Sequence, residues 1–463
     1  MSTESDALSL AEAAARDWLA GLGTRSAGAS ASFDSLYARF DAPLPEQGQL
    51  ATDVVASLIE RAQGGLQGNA GGRFFGWVIG GVTPAALAAD WLVSAWDQNA
   101  ALYHVSPIAS VIEQRTGEWL KQLFGLPGDS SFALTTGTQM AHATALAAAR
   151  HRVLKTAGWD VEQDGLFGAP RVAVITGRNR HTSVDRAVRL LGFGQANLHI
   201  IDSQADTVSP DELDHALAAH GGPAIVVLNA ADLNVGGCDP FATLIPIARR
   251  YDTWVHIDGA FGLFATVSSQ QRHHVAGIEL ADSWSTDAHK WLNTPFDCGV
   301  MICRDAEAHR AAMTQSASYI APGEGARDEI DWNPEWSRRA RAIPIYAALS
   351  ELGRAGVASI VDRCCAHCAN IVAGIGALQG AEIIAPAQLN QGLLRFPVTG
   401  DDDAGDDRTE QVIAHVNASG EAFFSSTTWK GRKAMRVSLC NWRTGDDEVE
   451  RAIAATKRAL AAV

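Results

Sequence analysis

The sequence predicts an α/β protein, a mostly parallel sheet flanked by helices and followed by a smaller C-terminal α+β domain. Three observations carry that expectation. Short β-rich runs alternate with helix-like segments through the middle of the chain. Several of these runs are apolar on both faces, as strands of a covered parallel sheet must be. The chain has 463 residues, more than one hydrophobic core usually supports, so a second domain is expected.

Residues 6–22 place Leu8, Ala11, Ala15, Trp18, Leu19 and Leu22 near helical spacing, an amphipathic helix that needs a surface to pack on. The strand-like runs are RVAVITG at 171, NLHIID at 197, AIVVLNA at 224, TWVHIDGA at 253 and CGVMICR at 298. DWNPEWSRRARAIPIYAALSELGRAG, from residue 331, starts as a loop and continues as a long helix despite Pro344. The last third changes character. GLLRFPV and AMRVSLCNW read as strands, with the polar run TGDDDAGDD between them. A closing helix has Thr444 as its N-cap, acidic residues in its first turn, and Val449, Ile453 and Leu460 on its apolar side. These features divide the chain into an N-terminal helical arm (1–70), a large domain (71–320) and a small domain (321–463), with no internal repeat.

The hydrophobic fraction of 47% and the 43 glycines suit a compact, loop-rich protein, not a disordered one. The net charge is −15 and no Lys/Arg block interleaves with aromatics, so no nucleic-acid partner is expected. The seven cysteines lack paired CxxC spacing, and those at 364, 365 and 368 are expected to be reduced and buried, with no metal. The start MSTESDALSL has no basic n-region, and no apolar run reaches transmembrane length. The cytoplasm is the expected compartment, with no membrane partner.

In open parallel sheets, ligands bind outside the carboxyl ends of the strands, so chemistry is sought just after each β-run. Four places stand out. Gly137 and Thr138, in LTTGTQMAHATALAAAR, open an alanine-rich helix whose free N–H groups and dipole suit a phosphate, although Gly-Thr also caps many helices. In HIDGAFG, Trp254, His256 and Asp258 share a strand face and Asp258 ends the strand; a loop-capping aspartate is the plain alternative. His181, in GRNRHTSVDRA, sits at a strand-to-helix loop, where a lone histidine is commonly structural. Lys290, in STDAHKWLNTPFDCG, follows a strand-like run in an uncharged neighbourhood, and a partly desolvated amine there is a candidate nucleophile.

Together these meet the needs of pyridoxal 5′-phosphate (PLP): a lysine for its imine, a carboxylate for its pyridine nitrogen, a phosphate cup and a flat group over the ring. From GRFFGWVIGG near residue 70 to MRVSLCNWRT, and above all in DAHKW with the upstream HIDGAFG, the sequence resembles the group II PLP-dependent amino acid decarboxylases.

The resemblance implies PLP fold type I, with a seven-stranded sheet in a cofactor-binding large domain. It gives Lys290 the Schiff base, Asp258 the pyridinium contact and His181 the ring stack, and makes these three the expected catalytic residues. Gly137, Thr138 and Gln139 match the phosphate cup, and His289 a residue that also reaches the phosphate. Asn234 falls near the cofactor's 3′ oxygen or ring edge, and Ala260 at the small residue that lets backbone and ring approach. Phe75, Trp77, Tyr103 and His104 fall where the family gathers its side-chain pocket, partly from the neighbouring subunit, which points to an apolar or aromatic amino acid. Arg436 is expected either to meet the substrate carboxylate through its guanidinium fork or to form a domain–domain salt bridge. The implied reaction is decarboxylation of an L-amino acid to an amine and CO2, in a homodimer whose active site lies between subunits.

The chain departs from the pattern at the protonation step. Many family members carry a loop tyrosine before the RR segment, whereas RDEIDWNPEWSRRA offers Glu329, Asp331 and Trp332. Tyr319 lies upstream, and His181 or Lys290 are further candidate acids. This departure keeps aldol cleavage, transamination and oxidative deamination to an aldehyde open on the same scaffold. Retention of Lys290 and Asp258 argues against a non-catalytic homologue. GFGQAN, with two glycines and no βαβ fingerprint, argues against a nicotinamide enzyme.

Overall fold

The computed structural model describes residues 4–201, 206–315 and 326–463. Its strands are β1 (Phe74–Phe75), β2 (Ser131–Thr135), β3 (Ala173–Gly177), β4 (Leu198–Ile201), β5 (Ala224–Asn229), β6 (Trp254–Asp258), β7 (Ser283–Asp287), β8 (Gly299–Cys303), β9 (Glu382–Gln388), β10 (Gln391–Arg395), β11 (Phe423–Trp429) and β12 (Arg432–Ser438). Seven form one sheet in the order β2-β8-β7-β6-β5-β3-β4, and five form another in the order β1-β11-β12-β10-β9. Strands β4, β3, β5, β6 and β7 pair in parallel; β8 runs antiparallel to both β7 and β2. The expected α/β class is therefore present, with one antiparallel strand inside an otherwise parallel sheet. The chain divides into two compact units, one of Gly80–Ala366 with Ala387–Gln391, the other of Met1–Ile79, His367–Pro386 and Gly392–Val463.

In the larger unit, β2, β6, β7 and β8 are buried along their whole length. The helix Thr138–Thr156 crosses the sheet and packs on β2, β5, β6, β7 and β8. Its run of alanines explains the close approach: Ala141, Ala145, Ala147, Ala148 and Ala149 are nearly or fully buried, with Leu146 and Leu154 filling the gaps. Either leucine is worth about 2–5 kcal/mol against alanine, since truncation removes buried methylenes and leaves a cavity. Strand β2, reading SFALT, is bounded by serine and threonine, so it lacks the long apolar run that marks β5.

Several local expectations are refined. Pro344 lies in the first turn of the Ala342–Gly376 helix, where an N–H has no intrahelical partner, so the ring is accommodated. The break comes instead at Gly353, at φ 58°. The polar run after GLLRFPV opens a helix, Asp402–Ser419, because the Asp401 carboxylate accepts the Ala404 N–H at 2.9 Å. The closing helix, Asp446–Ala462, is capped at Gly445 and not at Thr444. The Thr444 hydroxyl donates instead to the Gly72 carbonyl at 2.9 Å.

In the smaller unit, β1 pairs in parallel with β11, and Phe74 stacks on Phe423 with ring centroids 4.6 Å apart. The helices Glu4–Gly21, Phe33–Phe40 and Ala51–Arg61 carry no buried residue. Of the apolar side expected of the first helix, Leu8 and Ala11 are exposed, Ala15, Trp18 and Leu19 are part-buried, and Leu22, just past the helix end, is buried.

Candidate active site

Every residue in the centre of the site belongs to the larger unit. Asp258 ends β6, the middle strand of the sheet, and is 3% exposed. One oxygen accepts the Ala260 N–H at 3.1 Å, and the other faces His142 Nε2 at 3.4 Å. Burial alone would raise its carboxyl. His142 beside it, then His181 and the Ala260 N–H, outweigh burial and hold the group well below the usual carboxylate range. Asp258 is a buried anion. Ala260 also ties the next strand, its carbonyl accepting the Asp287 N–H at 3.0 Å.

Lys290 lies in the turn after β7, its side chain 18% exposed. Its Nζ is 2.9 Å from Asp287 Oδ2 and 5.9 Å from the centre of the Phe261 ring. The other oxygen of Asp287 accepts the Thr138 N–H at 2.7 Å. One carboxylate therefore links the lysine amine to the start of the Thr138–Thr156 helix. Burial would raise Asp287, but Lys290, His289 and the Thr138 side chain bring it below its ordinary value. Backbone contact fixes the turn from outside: a Cβ on Gly80 would come within 1.9 Å of the Lys290 carbonyl oxygen.

The cup is built from Gly137, Thr138 and Gln139. Gly137 is the helix N-cap in extended backbone, and a Cβ there would meet only Asp287 Oδ1 and His289 Cε1, at 3.6 and 3.7 Å. Thr138 Oγ1 and Gln139 Nε2 are buried with no hydrogen-bond partner among the described residues. Orphaned donors beside a helix N-terminus suit the phosphate of PLP, so the residues present fit that group. His289 borders the cup. Its Nδ1 accepts the Cys298 N–H at 3.3 Å, its ring lies 4.4 Å from that of Phe296, and burial lowers its pKa against the pull of Asp287.

His181 caps the helix Thr182–Leu190, its Nδ1 accepting the Ser183 N–H at 3.2 Å and lying 2.7 Å from the Ser183 hydroxyl. Its side chain is exposed, and desolvation lowers its pKa against the attraction of Asp258. Asn234 lies in the turn after β5 and donates its N–H to Asp232 at 2.8 Å. A cavity lined by Thr176, Asn179, Asn229, Asp232 and Asp258 joins the ends of β3, β5 and β6.

The remaining expected residues lie in different settings. Tyr103 and His104 sit in the larger unit, ring edge to ring face at 5.7 Å, with the Tyr103 N–H donating to Asp328 at 2.8 Å. Phe75, Trp77 and Arg436 belong to the smaller unit. There Phe75 is fully buried, Trp77 is half exposed at φ 51°, and Arg436 is buried in β12. Glu329 is buried 2.9 Å from the Arg327 guanidinium, Asp331 pairs with Arg310 at 2.9 Å, and the Trp332 ring covers Arg327. Tyr319 lies outside the described residues. Asp287, His142 and Ser283 carry no signal in the string. They matter only because folding brings β7 beside β6 and the 138–156 helix across both.

A buried carboxylate at a central strand end, a lysine on the next turn and a donor-lined helix N-terminus fit a PLP-dependent enzyme. The model of the pyridoxal-dependent decarboxylase conserved domain matches residues 36–398, and the chain belongs to that family. It is 26% identical over 390 residues to an aromatic-L-amino-acid decarboxylase of Bacillus atrophaeus, covering 81% of this chain and 78% of that protein. An L-2,4-diaminobutyrate decarboxylase of Rhizobium meliloti (strain 1021) is 29% identical over 443 residues, covering 90% and 84%. The crystal structure of Oryza sativa TDC with PLP and tryptamine has the same fold, with a TM-score of 0.91 at 22% identity over 99% of this chain and 98% of that one.

Proposed function

We propose that the chain decarboxylates an L-amino acid with an apolar or aromatic side chain to an amine and CO2, with Lys290 holding PLP through its aldehyde. When bound, the cofactor supplies an electron sink for the pair left behind as the bond to the carboxylate breaks. Asp258 keeps the ring nitrogen protonated by offering it a buried anion. His181 covers the ring face, and Ala260 leaves room for the ring to approach the strand end. Gly137, Thr138, Gln139 and His289 hold the phosphate, with Asn234 at the ring edge. Asp287, 2.9 Å from the Lys290 amine, would hold that amine beside the cofactor's aldehyde. Tyr103, His104, Phe75, Trp77 and Arg436 are the residues proposed to shape substrate choice.

One observation carries this reading: the two oxygens of Asp287 hold the Lys290 amine at 2.9 Å and the Thr138 N–H at 2.7 Å, so the imine and phosphate ends of the site are fixed to each other. The aromatic amino acid decarboxylase relative supports the side-chain class. The diaminobutyrate decarboxylase relative favours a second reading, a short amino acid with a basic side chain. The three N-terminal helices without a buried residue support a homodimer completed across this surface, where Phe33, Tyr37 and Leu58 are exposed. No helix among the described residues is long and apolar enough to cross a membrane.

The test is product analysis by mass spectrometry from a mixed amino acid pool. An arylalkylamine or alkylamine with CO2 supports the first reading and a diamine the second; an aldehyde with CO2 would overturn the amine as product, and a keto acid or glycine would overturn decarboxylation itself. Lys290→Ala should abolish visible cofactor absorbance; colour that survives both this substitution and borohydride places the imine elsewhere.

A further inference from the structure

Behind Asp258 runs a buried chain of polar side chains with no role yet. Trp254 and His256 share the β6 face that carries Asp258, because side chains alternate along a strand. The Trp254 Nε1–H donates to Ser283 Oγ at 2.9 Å, and His256 Nδ1 lies 2.8 Å from the same oxygen. His256 Nε2 is 2.9 Å from His142 Nδ1, and His142 Nε2 lies 3.4 Å from Asp258 Oδ2, an electrostatic contact longer than the hydrogen bonds behind it, with no hydrogen-bond partner of its own among the described residues. His142, His256 and Ser283 are wholly buried and Trp254 nearly so.

We propose that Trp254, Ser283, His256 and His142 form a one-way hydrogen-bond relay of positioning residues, in which every hydrogen points toward Asp258 and two neutral imidazoles hold it as an anion. The two ends set the direction. An indole N–H only donates and an ionised carboxylate only accepts. With the indole hydrogen on its oxygen, Ser283 gives its own hydrogen to His256 Nδ1. His256 then carries hydrogen on Nε2 and gives it to His142 Nδ1, and His142 carries hydrogen on Nε2, aimed at Asp258. Reversing the order would set the His142 Nε2 lone pair against a carboxylate oxygen where both groups are buried.

One group opposes this order. The Ser283 main-chain carbonyl also lies against the His256 ring and favours a hydrogen on Nδ1. Satisfying it requires a second proton on His142, so a buried imidazolium is the competing state. Burial, the largest influence on His256, holds that ring well below ordinary imidazole and therefore neutral. Ser285 Oγ, 3.2 Å from His142 Nδ1 and 3.3 Å from the Ile257 carbonyl, can donate to either.

The proposal rests on the reading that Asp258 meets the ring nitrogen, and the experiment separates the two. In holoenzyme labelled with 15N-histidine, imidazole shifts and long-range proton–nitrogen correlations distinguish Nε2–H, Nδ1–H and the cation. Both His142 and His256 should be neutral with hydrogen on Nε2, and Trp254→Phe, which removes the donor, should shift both toward mixed tautomers. A hydrogen on Nδ1 of either ring, or a cationic His142, overturns the relay. His142→Leu should lose the protonated ring-nitrogen signal of 15N-labelled PLP, whereas His142→Gln, which offers an N–H forward and a carbonyl back, should keep it. Equal signals in the two variants also overturn the relay. A protonated ring nitrogen that persists in Asp258→Asn instead overturns the role of Asp258, and leaves the histidine tautomers to be judged separately.

Discussion

Asp287 is the residue on which both ends of the site depend, and its effect divides into a hydrogen bond and a charge. Asp287→Ala removes the acceptor for the Thr138 N–H and the partner of Lys290, leaving a buried donor unpaired at about 1–3 kcal/mol. Asp287→Asn keeps an acceptor for Thr138 but loses the charge. The alanine variant should therefore melt lower and lose PLP faster on dialysis than the asparagine variant; identical behaviour would mean the helix-capping bond contributes nothing. The carboxyl is lowered in the fold, so its stabilisation is complete above its unfolded value near 4 and fades as pH falls through the lower folded one. Lys290, Asp258 and His181 could be picked out of the string because each ends or follows a β-run. Asp287 could not. An acid three residues before a lysine looks like a solvated pair until the 138–156 helix is brought beside it.

Among the elements, the strand most legible is β5, whose burial shows as apolar continuity. Strand β2 is buried along its whole length, yet its apolar run is only three residues and it begins on serine, and burial of serine depends on partners that lie far off in sequence. The Thr444 cap failed for a related reason: its hydroxyl finds the Gly72 carbonyl, and no local rule reports so distant a competitor. Close backbone approach is equally invisible. Gly299 opens β8 directly against the cup, and a Cβ there would lie 2.4–2.7 Å from Gly137 backbone atoms. Gly299→Ala should displace the N-cap, at about 1–3 kcal/mol for overpacking, and raise the PLP dissociation constant. Gly128, with open space around its Cβ and no positive φ, is the control. Unchanged PLP binding in Gly299→Ala would show that β8 and the cup move independently.

At the scale of the whole molecule, the pH range of stability follows from groups whose protonation the fold opposes. His309 is wholly buried, with Nε2 donating to the Trp332 carbonyl at 2.8 Å and Nδ1 2.9 Å from the Ser131 hydroxyl. Burial, then the Arg327 charge, pushes it down to about 3. In the unfolded chain it titrates near 6.5, so between these values only the unfolded state binds the proton. Its contribution is complete above about pH 6.5 and is lost as pH falls, by about 1.4 kcal/mol at pH 5.5. Glu329 has the opposite sign. Burial raises its carboxyl, Arg327 lowers it and Glu113 raises it further, with a net rise, so its contribution is complete below about pH 4.5 and is lost as pH climbs. Stability should therefore peak between the two limbs. Between pH 7.5 and 5.5 the two groups act in opposite directions, so the test is a difference: in urea unfolding, moving from pH 7.5 to 5.5 should favour His309→Gln over the natural protein by about 1.4 kcal/mol, because glutamine can still donate to Trp332 without titrating. The same change in both proteins would mean that His309 takes up its proton in the folded state, and that the acid limb is set elsewhere.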